Sequence, residues 1–203
     1  FSQWYDGQPL DSQRYEVEVD GVRLHGRVDQ IHPQGLIRLQ TGAPGVAYVL
    51  RGGLDWLLRN AAGVPTALLQ FHDNGQAGYG PHRLPELSPE AAKTALKALL
   101  RLRSEGMQAP LLFAPYTGWE VYNADPDKRE NAAQSRWFGS EHSWGERNGE
   151  ALQLALRGSD PFASPITTHR FIHNALLIFT ALREGRVLPD FDAETAASSG
   201  GAA

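Results

Sequence analysis

Polar and apolar residues alternate strictly in YEVEVD, residues 15–20, the period-two pattern of a half-exposed β-strand. Asp20-Gly21 follows, a two-residue hairpin signal, because both types accept the positive φ such turns require. VRLHGRVDQI, 22–31, reads as the return strand. His32-Pro33-Gln34-Gly35 is a second turn, and LIRLQT, 36–41, a third strand. The pattern therefore predicts a three-stranded antiparallel meander. Gly42-Ala43-Pro44-Gly45 breaks the sheet, and the spacing then becomes helical. A helix is expected from about Ala47 to Ala62, burying Tyr48, Leu50, Leu54, Leu57, Leu58 and Ala61, with Gly63 as its C-terminal cap. Gly52-Gly53 weakens it by about 1 kcal/mol per glycine relative to alanine.

Further along, PTALLQF (65–71) reads as a fourth strand and His72 to Leu87 as a loop or loose hairpin. Ser88-Pro89-Glu90 is a helix start, with Ser as N-cap, Pro in the first turn and an acid at the positive end. That helix is expected to run to about Ser104, with Gly106 as its stop. APLLFAP, 109–115, reads as a short buried strand. Residues 117–150 hold Trp119, Trp137 and Trp144 among many charges and few aliphatics, and suggest an irregular excursion with short helical pieces. Residues 151–158 fit helix or strand, and 166–185 a helix ending at Gly185. Residues 1–14 look irregular, with Trp4 and Tyr5 as possible docking anchors, and 193–203 look like a disordered tail. The sum is one α/β domain over 1–192.

Composition narrows the function classes. With 41% hydrophobic and 21% charged residues, and 19 aromatic Trp, Tyr and Phe among 203, a real core can form. The net charge is −4, whereas a domain that holds nucleic acid unaided is usually basic. DNA contact must then be local or shared with a partner. Cysteine is absent, which removes disulfides, thiol nucleophiles and cysteine-ligated metals, and leaves a cytoplasmic location as the default expectation. The chain opens on Phe1 without a basic-then-apolar leader, so we expect a segment of a longer protein.

The opening strands carry a resemblance. In PD-(D/E)XK nucleases of the RecB type, one strand bears Gly-x-x-Asp and the next an apolar pair, an acid, any residue, then Lys. Gly26-Arg27-Val28-Asp29 resembles the first element. Leu36-Ile37-Arg38-Leu39-Gln40 resembles the second in spacing, with Arg38 and Gln40 at the catalytic positions. Such sites hold Mg²⁺ between two carboxylates while Lys positions water. Arg38 would repel the metal, and Asp29 alone is one ligand. Active relatives often carry Gln and Tyr on the following helix, where this chain has Arg51 and Trp56. GVRLHGRV, HPQGLIRLQTGAP, LDWLLRNAAG and above all SEGMQAPLLFAPYTG are similar to the C-terminal domain of RecC, the gamma subunit of exodeoxyribonuclease V (RecBCD), over roughly 17–160. That resemblance implies a restriction-endonuclease-like core, a mixed sheet flanked by helices and catalytically degenerate. It implies a non-catalytic subunit, with no cofactor for this domain, that scaffolds RecB and RecD and guides DNA in double-strand break repair. Two rivals stay open: an active nuclease with relocated ligands, and a protein-interaction module without a DNA role.

Other features carry less. Glu16, Glu18 or Asp20 could join Asp29 in a displaced metal site, but the two glutamates fit a solvated strand face. For Arg38 a structural pair with Asp29 on the neighbouring strand is expected over a phosphate contact, since a buried arginine needs a partner. Lys93, Lys97 and Arg101 recur every four residues and form a stripe that is either solvated or a DNA or partner surface. Trp119, Arg136, Trp137 and Trp144 could stack unpaired bases, or build a satellite core or docking surface. His169 and His173 have zinc-like spacing, but Arg170 stands where H-E-x-x-H needs Glu, so no metal site is expected. Gly75-x-x-Gly78-x-Gly80 lacks the Lys-Ser/Thr of a phosphate loop, and no nucleophile elbow is present.

Overall fold

Asp20 and Gly21 both adopt positive φ, +52° and +75°, and close the expected hairpin between β1 (Gln13–Val19) and β2 (Val22–Val28), with Val19 opposite Val22. The computed structural model describes residues 7–73, 75 and 78–191. Trp4, Tyr5 and the tail at 193–203 lie outside the described residues. The chain divides into two compact units. One is the chain up to Ala98 with Thr180–Val187; the other is Leu99–Phe179 with the chain from Leu188.

In the first unit the expected meander does not form. Gln30 takes a positive φ of +59°, which ends β2 and turns the chain into β3 (Ile31–His32). β3 pairs antiparallel with β4 (Gly35–Leu39). β4 then pairs parallel with β5 (Leu68–Asp73), and β5 antiparallel with β6 (Tyr79–Leu84). The result is a two-stranded sheet β1-β2 and a separate mixed sheet ordered β3-β4-β5-β6. The crossover between parallel strands is α1 (Val46–Ala61), as parallel pairing requires.

α1 packs through its glycines. A Cβ on Gly52 would meet the Gln70 side chain at 2.9 Å, and one on Gly53 the Leu182 carbonyl oxygen at 2.5 Å. The pair that costs helix propensity permits close approach. Gly26 does the same on β2, where a Cβ would meet Leu58 at 2.7 Å. The buried stripe is rotated from expectation: Val49, Trp56 and Leu57 are buried, while Leu54 is exposed. Gly63, at φ +81°, follows the helix end as anticipated. On the sheet face away from Gln70, Ile37, Leu69 and Phe71 form a buried cluster.

Ser88 caps α2 (Pro89–Gln108), its Oγ accepting from the Ala91 N–H at 3.1 Å. The helix passes through Gly106 rather than stopping before it. In the second unit, APLLFAP is not a strand: residues 110–114 are irregular and turn tightly at Leu112, the Phe113 N–H donating to the Leu111 carbonyl at 2.8 Å. The segment 117–150 is more regular than its composition suggests, with α3 (Pro115–Asn123), α4 (Arg129–Phe138) and 3-10 turns at Pro126–Lys128 and Glu146–Asn148. α5 (Glu150–Leu156) settles the helix-or-strand alternative, and α6 (Pro165–Glu184) is the expected last helix. Their core gathers Ala114, Val121, Ala133, Trp137, Leu156 and Phe171.

Candidate functional site

Arg38 on β4 and Asp55 on α1 meet in an open pocket of about 940 Å³, lined also by Asp29, Gln40, Tyr48 and Arg51. Arg38 Nη2 donates to Asp55 Oδ2. The two side chains are 19% and 23% exposed, so the pair is largely desolvated and each charge depends on the other. The expected Arg38–Asp29 pair is not present. Asp29 lies just past β2 with its side chain 60% exposed, 3.6 Å from Arg27 Nε. The reason is topological: β2 and β4 belong to different sheets, so Asp29 and Arg38 are not cross-strand neighbours. α1 supplies the counter-charge instead. Burial raises the Asp55 carboxyl above its ordinary value despite Arg38, and the Asp29 charge adds to the rise.

Gln40, two residues on, lines the same pocket as Arg38, and its N–H reaches the Phe71 carbonyl at 2.9 Å. It follows the end of β4 and closes the turn before α1, donating from Nε2 to the Ala43 carbonyl at 2.8 Å and accepting from the Gly45 N–H at 3.4 Å. An amide suits this position because it both donates and accepts; lysine only donates. Tyr48 donates to the Arg38 carbonyl at 2.9 Å, and burial pushes its phenol up to about 12 against the pull of Arg38 and Arg183. Gln70, beside Arg38 in register, is buried; its Oε1 accepts from Arg183 Nη1 at 3.1 Å. The His72 and His82 rings lie 6.5 Å apart. Burial first, then Arg183 and His72, lowers His82 to about 4.

Both acids of the pocket thus lie against guanidiniums, and among the described residues no three His, Asp or Glu side chains converge in a group able to hold a metal. Glu16 pairs with Arg23 at 3.3 Å on the hairpin surface and Asp20 with Lys97 at 3.0 Å, so neither joins Asp29. His173 sits edge-on to Phe191 at 5.5 Å, its pKa lowered by burial and Arg101, and with His169 gains no third ligand among the described residues.

The surface candidates separate. Lys93 is exposed. Arg101 is engaged by Glu105 at 3.7 Å and by Asp190. Trp137 is buried, and Trp119 is half-buried, stacked on Tyr122 at 5.7 Å and tilted on Phe179 at 5.2 Å. Trp137 is therefore core and Trp119 is covered by other rings, which leaves neither as an open stacking face. Trp144 is exposed, with Arg136 over its ring at 5.9 Å. Sequence reasoning missed Asp55 and Glu146. Asp55 had a signal, since it lies seven residues after Tyr48 and so on the same helix face. Glu146 had none: its partners are 30 and 29 residues away.

Comparison with known proteins places the chain. The model of the RecC C-terminal domain matches residues 1–126. Over 116 residues, 55% of this chain, it is 31% identical to the RecBCD enzyme subunit RecC of Escherichia coli (strain K12), and it spans 10% of that protein's length. The chain belongs to the RecC C-terminal domain family.

Proposed function

We propose that this chain is a non-catalytic scaffold and DNA-guiding domain of a RecC-type subunit, acting with RecB- and RecD-type partners in double-strand break repair on a degenerate restriction-endonuclease-like core. What carries this reading is the Arg38–Asp55 pair in the pocket beside Asp29. A divalent ion there would meet a guanidinium that does not deprotonate. The nearest carboxylates are Asp55, bonded to Arg38, and Asp29, an exposed acid paired with Arg27. Gln40, at the lysine position of the nuclease pattern, is spent on a turn. On this reading the domain needs no cofactor.

The test is cleavage of single-stranded, duplex and forked DNA in Mg²⁺ and Mn²⁺, with Asp29→Ala and Asp55→Ala alongside. The expected outcome is no cleavage by any of the three proteins. Cleavage that disappears in Asp29→Ala would mean a metal site rebuilt around that acid and would end the non-catalytic reading.

A further inference from the structure

The second unit displays aromatic surface on a locked scaffold. Tyr116, Phe138 and Trp144 are 49%, 39% and 53% exposed. Arg136 lies over both Tyr116, at 5.2 Å, and Trp144, at 5.9 Å, while Arg147 lies over Phe138 at 4.9 Å. The loop that presents Trp144 is fixed by contacts a mobile loop lacks. Gly139 and Gly145 press their backbones together so closely that a Cβ on either would overlap the other's segment. Ser140 and Ser143 form an isolated bridge, Ser140 N–H to Ser143 O at 3.0 Å. Glu146, buried, accepts from the Tyr116 and Thr117 N–H groups at 3.0 and 2.5 Å. That carboxylate ties the Trp144 loop to the start of α3, where Tyr116 stands.

We propose that this Tyr116–Arg136–Trp144 and Phe138–Arg147 surface is a stacking platform for single-stranded DNA. Rings held in place stack bases without an ordering cost at the moment of binding, and stacking tolerates any sequence because every base has a π-face. Charge points to the same occupant. Among the described residues no ion pair neutralises either guanidinium; Arg136 Nη1 donates to the Trp144 carbonyl at 3.4 Å, and both cations keep N–H donors for phosphates within a chain of net charge −4. Duplex DNA fits poorly, since its base faces are stacked on one another. Of these five residues only Tyr116 falls within the stretch matched to the family. The inference rests on the DNA-guiding reading and names where a strand would lie.

The experiment titrates the 203-residue chain against fluorescein-labelled oligothymidine of about 20 nucleotides, enough to span one such platform, following anisotropy at several salt concentrations. Trp144→Ala should weaken binding on the order of tenfold, while Trp144→Phe, which keeps a ring, retains most of it. Replacing Arg136 and Arg147 together by Ala should flatten the logarithmic salt slope by about 1.4, at roughly 0.7 per phosphate contact on a single strand. Far-UV circular dichroism on each variant separates loss of binding from loss of fold. Variants that bind like the parent chain would overturn the platform and leave DNA guiding intact. A parent chain that binds neither oligothymidine nor forked DNA would overturn both. Variants that lose copurifying partner subunits while binding oligothymidine normally would make the surface a protein interface and also overturn the platform.

Discussion

Arg38 is the residue on which the site turns, and its oddity is visible in the sequence: a cation between Leu36–Ile37 and Leu39, in the middle of a strand. Its partner is not visible there, because the partner is fixed by which elements share a sheet and not by spacing along the chain. The resulting pair makes a sharp forecast. Arg38→Ala leaves Asp55 desolvated and unpaired, which should cost about 3 kcal/mol in denaturant unfolding. Replacing Arg38 and Asp55 together by apolar residues of similar size should cost far less, because no lone charge remains. Equal losses would mean that packing, not charge, dominates. His82 gives a second forecast. Its folded value near 4 lies below the ordinary 6.5, so between those values the unfolded chain binds more protons. The stability His82 contributes is complete above pH 6.5 and is lost as pH falls from there through about 4. His82→Gln should therefore lose less stability than the parent between pH 7 and 4. Parallel stability curves would remove His82 as a source of acid sensitivity.

At the scale of elements, local signals were legible wherever local physics decides. The Asp20-Gly21 hairpin, the Ser88 cap and the span of α6 all depend on a few adjacent residues, and all appear in the structure. Signals failed where a distant partner decides. APLLFAP has strand composition but pairs with no strand among the described residues; it turns at Leu112, whose carbonyl accepts from Asn174 Nδ2 at 3.1 Å. Gly106 does not end α2, because Ala109 N–H still reaches the Glu105 carbonyl at 2.9 Å. Gly53 shows the same override in reverse. By propensity, Gly53→Ala should stabilise α1 by about 1 kcal/mol. The structure puts the new Cβ on the Leu182 backbone, and overpacking of that kind costs about 1–3 kcal/mol. The expected result in urea unfolding is a net loss; a gain would show that α1 and α6 separate there without penalty. Glu146→Ala removes the acceptor of two N–H groups in the first turn of α3 and should cost about 1–2 kcal/mol, with Glu146→Gln retaining part of it. Amide exchange at Tyr116 and Thr117 reads the lost bonds directly.

For the whole molecule, the stretch that identifies the family and the stretch that folds are not the same. The family match ends at residue 126, just beyond α3, yet both units depend on residues C-terminal to that point. In the first unit, Gly53 rests against Leu182, the Gln70 amide accepts from Arg183, and the Trp56 ring lies against Gly185. In the second, Trp119 and Tyr122 of α3 pack on Phe179, Val121 shares its core with Trp137 and Phe171, and the start of α3 is capped by Glu146. A chain cut after residue 126 loses every one of these partners. It exposes core faces of both units and removes the donor to Gln70 Oε1. The second core loses Trp137, Phe171 and Phe179 and the first loses Leu182; at about 2–5 kcal/mol per large side chain, these losses match or exceed the net stability of an ordinary domain. The cut chain should therefore show no cooperative thermal transition and rapid digestion by a nonspecific protease, while the 203-residue chain melts cooperatively. A cut chain that melts as sharply as its parent would mean that the first 126 residues carry a self-sufficient core and that α6 is a late addition to it.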